Sequence, residues 1–108
     1  MTAIAVASLC SAASAQKQPR TVLTIYSGAE NFPGTQRLDA AIQNGLLAHT
    51  DVRVDYFTEY LETEEFPPET ASTALRYYIR RKYERRHVDV VIAVTAAALR
   101  FALRYREE

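Results

Sequence analysis

Three β-type runs alternate with three helix-type runs along the chain. Thr21-Val22-Leu23-Thr24-Ile25-Tyr26 is rich in β-branched and aromatic residues and predicts a first strand. Asp51 to Phe57 alternates polar and apolar positions, which predicts a half-buried second strand at or near a sheet edge. His87-Val88-Asp89-Val90-Val91-Ile92-Ala93-Val94-Thr95 lacks clean alternation, so it predicts a third strand covered on both faces, at or near the sheet centre. Between the first two, Leu38, Ala41, Ile42, Gly45 and Leu46 share a helical face behind the cap-type residue Thr35, with an end near His49. After Pro67-Pro68, residues Ala71, Ala74, Leu75, Tyr78, Ile79 and Tyr83 follow the helical period. A last helix runs through Leu99, Ala102 and Leu103 to Arg106.

This order predicts an α/β fold: a three-layer α/β/α arrangement on a parallel sheet of order 2-1-3, with the first strand in the middle. That order leaves the most apolar strand, the third, at an open edge, where unpaired apolar backbone invites association. A fourth strand, following Glu108 or supplied by a partner, is therefore expected, and edge-strand self-association is the alternative. Ligands of open α/β sheets gather outside the strands' carboxyl ends, so the corner at Thr95 and its counterparts are where function is expected.

Met1 to Ala15 is Ala/Ser-rich and ends Ala13-Ser14-Ala15, the small-residue pattern of a secretory signal cleaved before Gln16, although no Lys or Arg precedes the apolar run. Residues 16–20 read as a tether, and 21–108 as the folded part. Lys+Arg and Asp+Glu both number 13, so no overall field recruits nucleic acid, and nucleic acid is not an expected partner. Arg76, Arg80, Arg81, Lys82, Arg85 and Arg86 read as a solvated helix face. The only cysteine, Cys10, lies in the leader, which excludes thiol chemistry and an internal disulfide in the folded part. His49 and His87 stand alone, so no metal and no cofactor is implied.

The candidate chemistry sits on loops. Ser27 to Gly34 follows the first strand and opens a helix, so its amides suit a small anion, but it has neither phosphate-binding fingerprint, and turn geometry alone also accounts for its glycines. Ser27 lacks the strained G-x-S-x-G elbow of a hydrolase nucleophile. Glu59 and Tyr60 pair a carboxylate with an aromatic ring, suited to the amine or ring of a solute; the plain alternative is a solvated acidic loop. Asp89 lies at the strand's opening end, where a cap or loop role is expected.

Several stretches together resemble a family. Val22-Leu23-Thr24-Ile25-Tyr26-Ser27 with Pro33-Gly34-Thr35, then Tyr56-Phe57-Thr58-Glu59-Tyr60-Leu61-Glu62 with Phe66-Pro67, then Arg81-Lys82-Tyr83, Asp89 to Val94 and Ala98-Leu99-Arg100-Phe101, are similar to the extracytoplasmic substrate-binding components of ABC transporters of the TrpX-like kind and to the periplasmic sensor regions of histidine kinases. The resemblance spans nearly all of Arg20 to Tyr105. It implies a type I periplasmic-binding fold, of which this chain supplies part of the first lobe. It also implies a non-catalytic role in binding or sensing a small molecule, a periplasmic or otherwise exported location, and a membrane kinase or ABC permease as partner. Its ligand contacts map to Ser27, Glu30 and Asn31, to Glu59 and Tyr60, and to Thr95 and Ala96. The family's usual glycine near the last corner is replaced by Thr95-Ala96. The competing reading is a flavodoxin-like nucleotide- or phosphate-binding enzyme domain using Ser27 to Gly34; a third is an interaction module pairing through its exposed edge.

Overall fold

Arg20 to Tyr26 pairs along its whole length with Val54 to Tyr60, and that pairing sets the frame of everything else. The computed structural model describes residues 18–49 and 51–106; the expected signal segment 1–15 and Cys10 lie outside the described residues. In chain order the elements are β1 (Arg20–Tyr26), α1 (Thr35–His49), β2 (Val54–Tyr60), α2 (Pro68–Lys82), β3 (Val90–Val94) and α3 (Ala96–Arg104). The strands form one parallel sheet in the order β2-β1-β3. The α/β class and the 2-1-3 order are as the hydrophobic pattern predicts.

Two strand boundaries differ from the pattern. β2 runs from Val54 to Tyr60, because its register against β1 starts at Arg20 with Val54 and ends at Tyr26 with Tyr60. The alternation that begins at Asp51 thus starts before the pairing does, and Glu59 and Tyr60 lie inside the strand. β3 is an edge strand, not a covered one: Val90 and Val91 are 50% and 46% exposed. β1 takes the covered central place, with every residue from Thr21 to Tyr26 buried.

Residue alternation then assigns the layers. Leu23 and Ile25 of β1 face Leu75 and Ile79 of α2 and Phe101 of α3, and Phe57, Ala93 and Tyr83 join the same core. Of these, the buried Leu23, Ile25, Leu75 and Phe101 each contribute roughly 1.5–3 kcal/mol. Val22, Thr24 and Tyr26 point to the other face, where α1 lies. There α1 is held by polar contacts: Asp39 Oδ1 accepts the hydroxyls of Tyr26 at 2.8 Å and Tyr56 at 2.7 Å, and Tyr56 also bonds Thr24 Oγ1 at 2.8 Å. The apolar stripe of α1 is only partly covered, Leu38 being 42% exposed.

α2 begins after Pro67 with Pro68 in its first turn and closes with Arg80, Arg81 and Lys82 in its last, the charge order its dipole favours. Tyr83 is buried as the helical period predicts, but Tyr78 is 49% exposed, because α2 turns only its Ala71, Leu75 and Ile79 stripe to the sheet. Asp89 takes the capping role expected of it: its Oδ2 accepts the Thr21 amide at 2.8 Å and Oδ1 pairs with Arg20 at 3.5 Å, tying the start of β3 to that of β1.

Candidate functional site: the carboxyl rim of the sheet

Because the strands are parallel, the chain leaves all three at one edge, and there the loops are bound to one another. Ser27 directly follows β1. Its hydroxyl hydrogen-bonds the Thr95 hydroxyl, approaches the Val94 carbonyl at 3.3 Å and accepts the Ala98 amide at 3.1 Å. With the proton donated to Val94 and one received from Thr95, the hydroxyl's single donor and two acceptor positions are filled. The Ser27 carbonyl accepts the Thr63 amide at 3.0 Å and the Thr63 hydroxyl at 3.2 Å. The exits of β1, β2 and β3 thus meet through Ser27, Thr63 and Thr95.

The corner at Thr95 has unusual backbone geometry. Its φ of 76° and ψ of 169° lie in a region adopted almost only by glycine, at a cost of about 1–3 kcal/mol for other residues. The conformation is the one a glycine would take. Thr95 precedes α3 but its side chain caps none of the helix amides. Ser27 does so instead, from the neighbouring strand, by accepting the Ala98 amide.

Of the other predicted residues, Tyr60 and Ala96 lie at this rim. Tyr60 stacks on Tyr26 with ring centres 5.6 Å apart and planes 17° from parallel, and its hydroxyl meets Thr58 Oγ1 at 3.3 Å. Ala96 is the exposed first residue of α3. Glu30 and Asn31 are exposed on the β1–α1 loop and line a separate hollow of about 600 Å³ with Phe32, Gly34 and Arg37. Gly28 lets that loop lie close to the next: a Cβ there would stand 3.1 Å from Phe32 Cγ and 3.3 Å from a Glu64 carboxylate oxygen.

Glu59 is turned away from the rim, and it is no solvated loop residue either. The β2 frame points it at the α2 layer, where it is buried and its Oε2 accepts Lys82 Nζ at 2.9 Å and the Tyr83 hydroxyl at 2.7 Å. The hydrogen bond to Glu59 holds the Lys82 ammonium above the ordinary lysine range. Burial, then the bond to Glu59, pushes the Tyr83 hydroxyl up. On the α1 side burial raises Tyr26 as well, and Tyr56 is pushed up to about 12, again chiefly by burial. Sequence reasoning missed Thr63, which sits unmarked in an acidic run, and the Asp39 acceptor of two tyrosines, which lies on a helix patterned as amphipathic.

No family model matches the chain, and no curated protein or solved structure matches it significantly.

Among the described residues no group of three or more His, Cys, Asp or Glu is placed to hold a metal ion, and no described helix is long and apolar enough to cross a membrane. The partners of the Ser27 hydroxyl are a carbonyl, a hydroxyl and an amide, none of which is a base that would activate it as a nucleophile.

Proposed function

We propose that this chain is a non-catalytic binding or sensing module of the cell envelope that recognises a small solute at the carboxyl rim of its sheet. The contacts are Tyr60, Thr95 and Ala96, with Glu30 and Asn31 on the adjoining loop, while Ser27, its hydroxyl already filled, holds the rim in place. The observation that carries this reading is the joining of the three strand exits through Ser27, Thr63 and Thr95, which builds one continuous surface where open α/β sheets receive ligands. The acidic side chains around the rim, Glu30, Glu62 and Glu64, favour a solute bearing an amine, and the Tyr60 ring offers it a face. The similarity to TrpX-like substrate-binding proteins and kinase sensor regions supports the same class of role and supplies the partner classes, a membrane kinase or a transporter permease. Export rests on the Ala13-Ser14-Ala15 pattern.

The test is a thermal-shift screen of the full chain against amines, amino acids, carboxylates, nucleotides and flavin. A ligand present at 100 times its dissociation constant stabilises by about 2.7 kcal/mol. Stabilisation by an amine or amino acid that Tyr60→Ala removes supports the proposal. A response confined to nucleotides or flavin overturns it in favour of the flavodoxin-like alternative.

A further inference from the structure

The opposite end of the molecule carries a second feature that the rim does not use. At the C-terminal half of α2, the loop after it and the end of α3, a groove of about 860 Å³ is lined by Arg76, Arg80, Arg81, Arg86, Arg106 and His87. Its walls are the apolar Ile79 and Val88 and the Tyr83 ring, and Glu84 is the one carboxylate lining it among the described residues. The chain as a whole carries no net charge. Arginines nevertheless gather at this pole.

The type of cation matters as much as the number. Every permanent cation lining the groove is arginine, whose planar fork donates to a phosphate or carboxylate through two parallel hydrogen bonds, which a lysine ammonium does not. The single nearby lysine, Lys82, is instead engaged with Glu59. Arg81 is held over the Tyr77 ring at 6.0 Å and Arg86 over the Phe57 ring at 4.8 Å. Stacking of this kind steadies the guanidinium plane. Arg86 is anchored further by Asp55 at 3.2 Å. Arg80 precedes both in sequence, is exposed, and has no ion pair to a carboxylate among the described residues.

We infer that this groove is a binding site for a small multivalent oxyanion, a phosphate ester or polycarboxylate, held by Arg80 and Arg81 with Arg86 at its margin. The site is separate from the rim, so each stands or falls alone. A flat anionic membrane is disfavoured by the concave shape, and a nucleic-acid strand by the small extent of the positive surface.

The test is titration calorimetry of the full chain with pyrophosphate and, separately, citrate, at low salt and again at physiological salt. The expected result is saturable binding that weakens as salt rises. Arg80→Gln and Arg81→Gln, each alone, should weaken it at least threefold, with the thermal unfolding midpoint unchanged, while Arg100→Gln, an equal charge change on α3 away from the groove, leaves it intact. Binding of pyrophosphate alone identifies a phosphate site, and of citrate alone a carboxylate site; both support the inference. Absence of saturable binding by either anion, or an equal loss in Arg100→Gln, overturns it.

Discussion

The hydroxyl of Ser27 accepts the backbone N–H of Ala98 at 3.1 Å, so the residue leaving β1 caps the helix that follows β3. One side chain thereby performs a local task, satisfying an orphan amide of α3, and a tertiary one, fixing the distance between two strand exits.

Ser27→Ala removes both. Loss of a capping oxygen costs about 1 kcal/mol, and the Thr95 hydroxyl loses its partner in the same step. Urea unfolding should show a destabilisation of about 1–2 kcal/mol with unchanged denaturant dependence. A variant as stable as the parent would mean that the rim is not held together through this hydroxyl.

Glu59 should prove structural. Its carboxylate is buried with Lys82 and Tyr83, although Lys82 is 41% exposed and the ion pair is partly screened. Glu59→Ala leaves the Tyr83 hydroxyl buried without its acceptor and should cost about 2–3 kcal/mol. Glu59→Gln, which keeps an acceptor for Tyr83, should cost less and leave solute binding at the rim unaltered. A Glu59→Gln variant that folds normally yet loses rim binding would contradict the placement of this side chain.

Thr95 holds a conformation suited to glycine, with φ at 76°. Thr95→Gly relieves about 1–3 kcal/mol of backbone strain, and gives back part of it through the lost hydroxyl and the added freedom of the unfolded chain. Calorimetry should find the variant at least as stable as the parent. Substantial destabilisation would mean that the threonine hydroxyl outweighs the strain.

The pH dependence has two limbs. Asp89 is held below the usual carboxylate range chiefly by the Thr21 amide, and Asp55 chiefly by the Arg53 side chain. A carboxylate depressed in the folded state contributes stability that is present above its unfolded pKa of about 4 and is lost as the pH falls below it. Tyr26, Tyr56 and Tyr83 are raised, so their contribution is present below about 10 and is lost as the pH climbs further. Stability curves should fall at both ends, and Asp89→Asn should flatten the acid limb. Absorbance titration should show these tyrosines ionising after the others; simultaneous ionisation would contradict their burial.

The fold could be read from the chain because its strongest signals are local: the apolar content of Val90 to Val94, the proline pair before α2, and the helical spacing from Ala71 to Ile79. The frame of β2 could not, because alternation from Asp51 looks the same whether or not a partner strand is present; only pairing with Arg20 to Tyr26 decides where the strand starts. Pairing beside Leu23 and Ile25 also decides that the face carrying Phe57 and Glu59 packs on α2, so the inward turn of Glu59 was hidden as well. Ser27, Tyr60 and Thr95 were legible as rim residues because strand ends imply position. The Asp39 acceptor shared by Tyr26 and Tyr56 was not, since nothing in helical spacing distinguishes a solvated aspartate from one facing a sheet.

The open edge carries its own prediction. β3 has no charge or proline to block pairing, and Val90 and Val91 stand half exposed. The chain should self-associate as its concentration rises, and Val91→Lys should keep it monomeric in light scattering. Association undiminished by that lysine would place the contact elsewhere.

The central claim, solute recognition at the carboxyl rim, is tested most directly by following backbone amides by NMR while an amine-bearing solute from the screen is added. Saturable shifts grouped at Ser27, Tyr60, Thr95 and Ala96, with the arginine groove silent, are the predicted result. Shifts that do not saturate, or that gather away from those four positions, would contradict it.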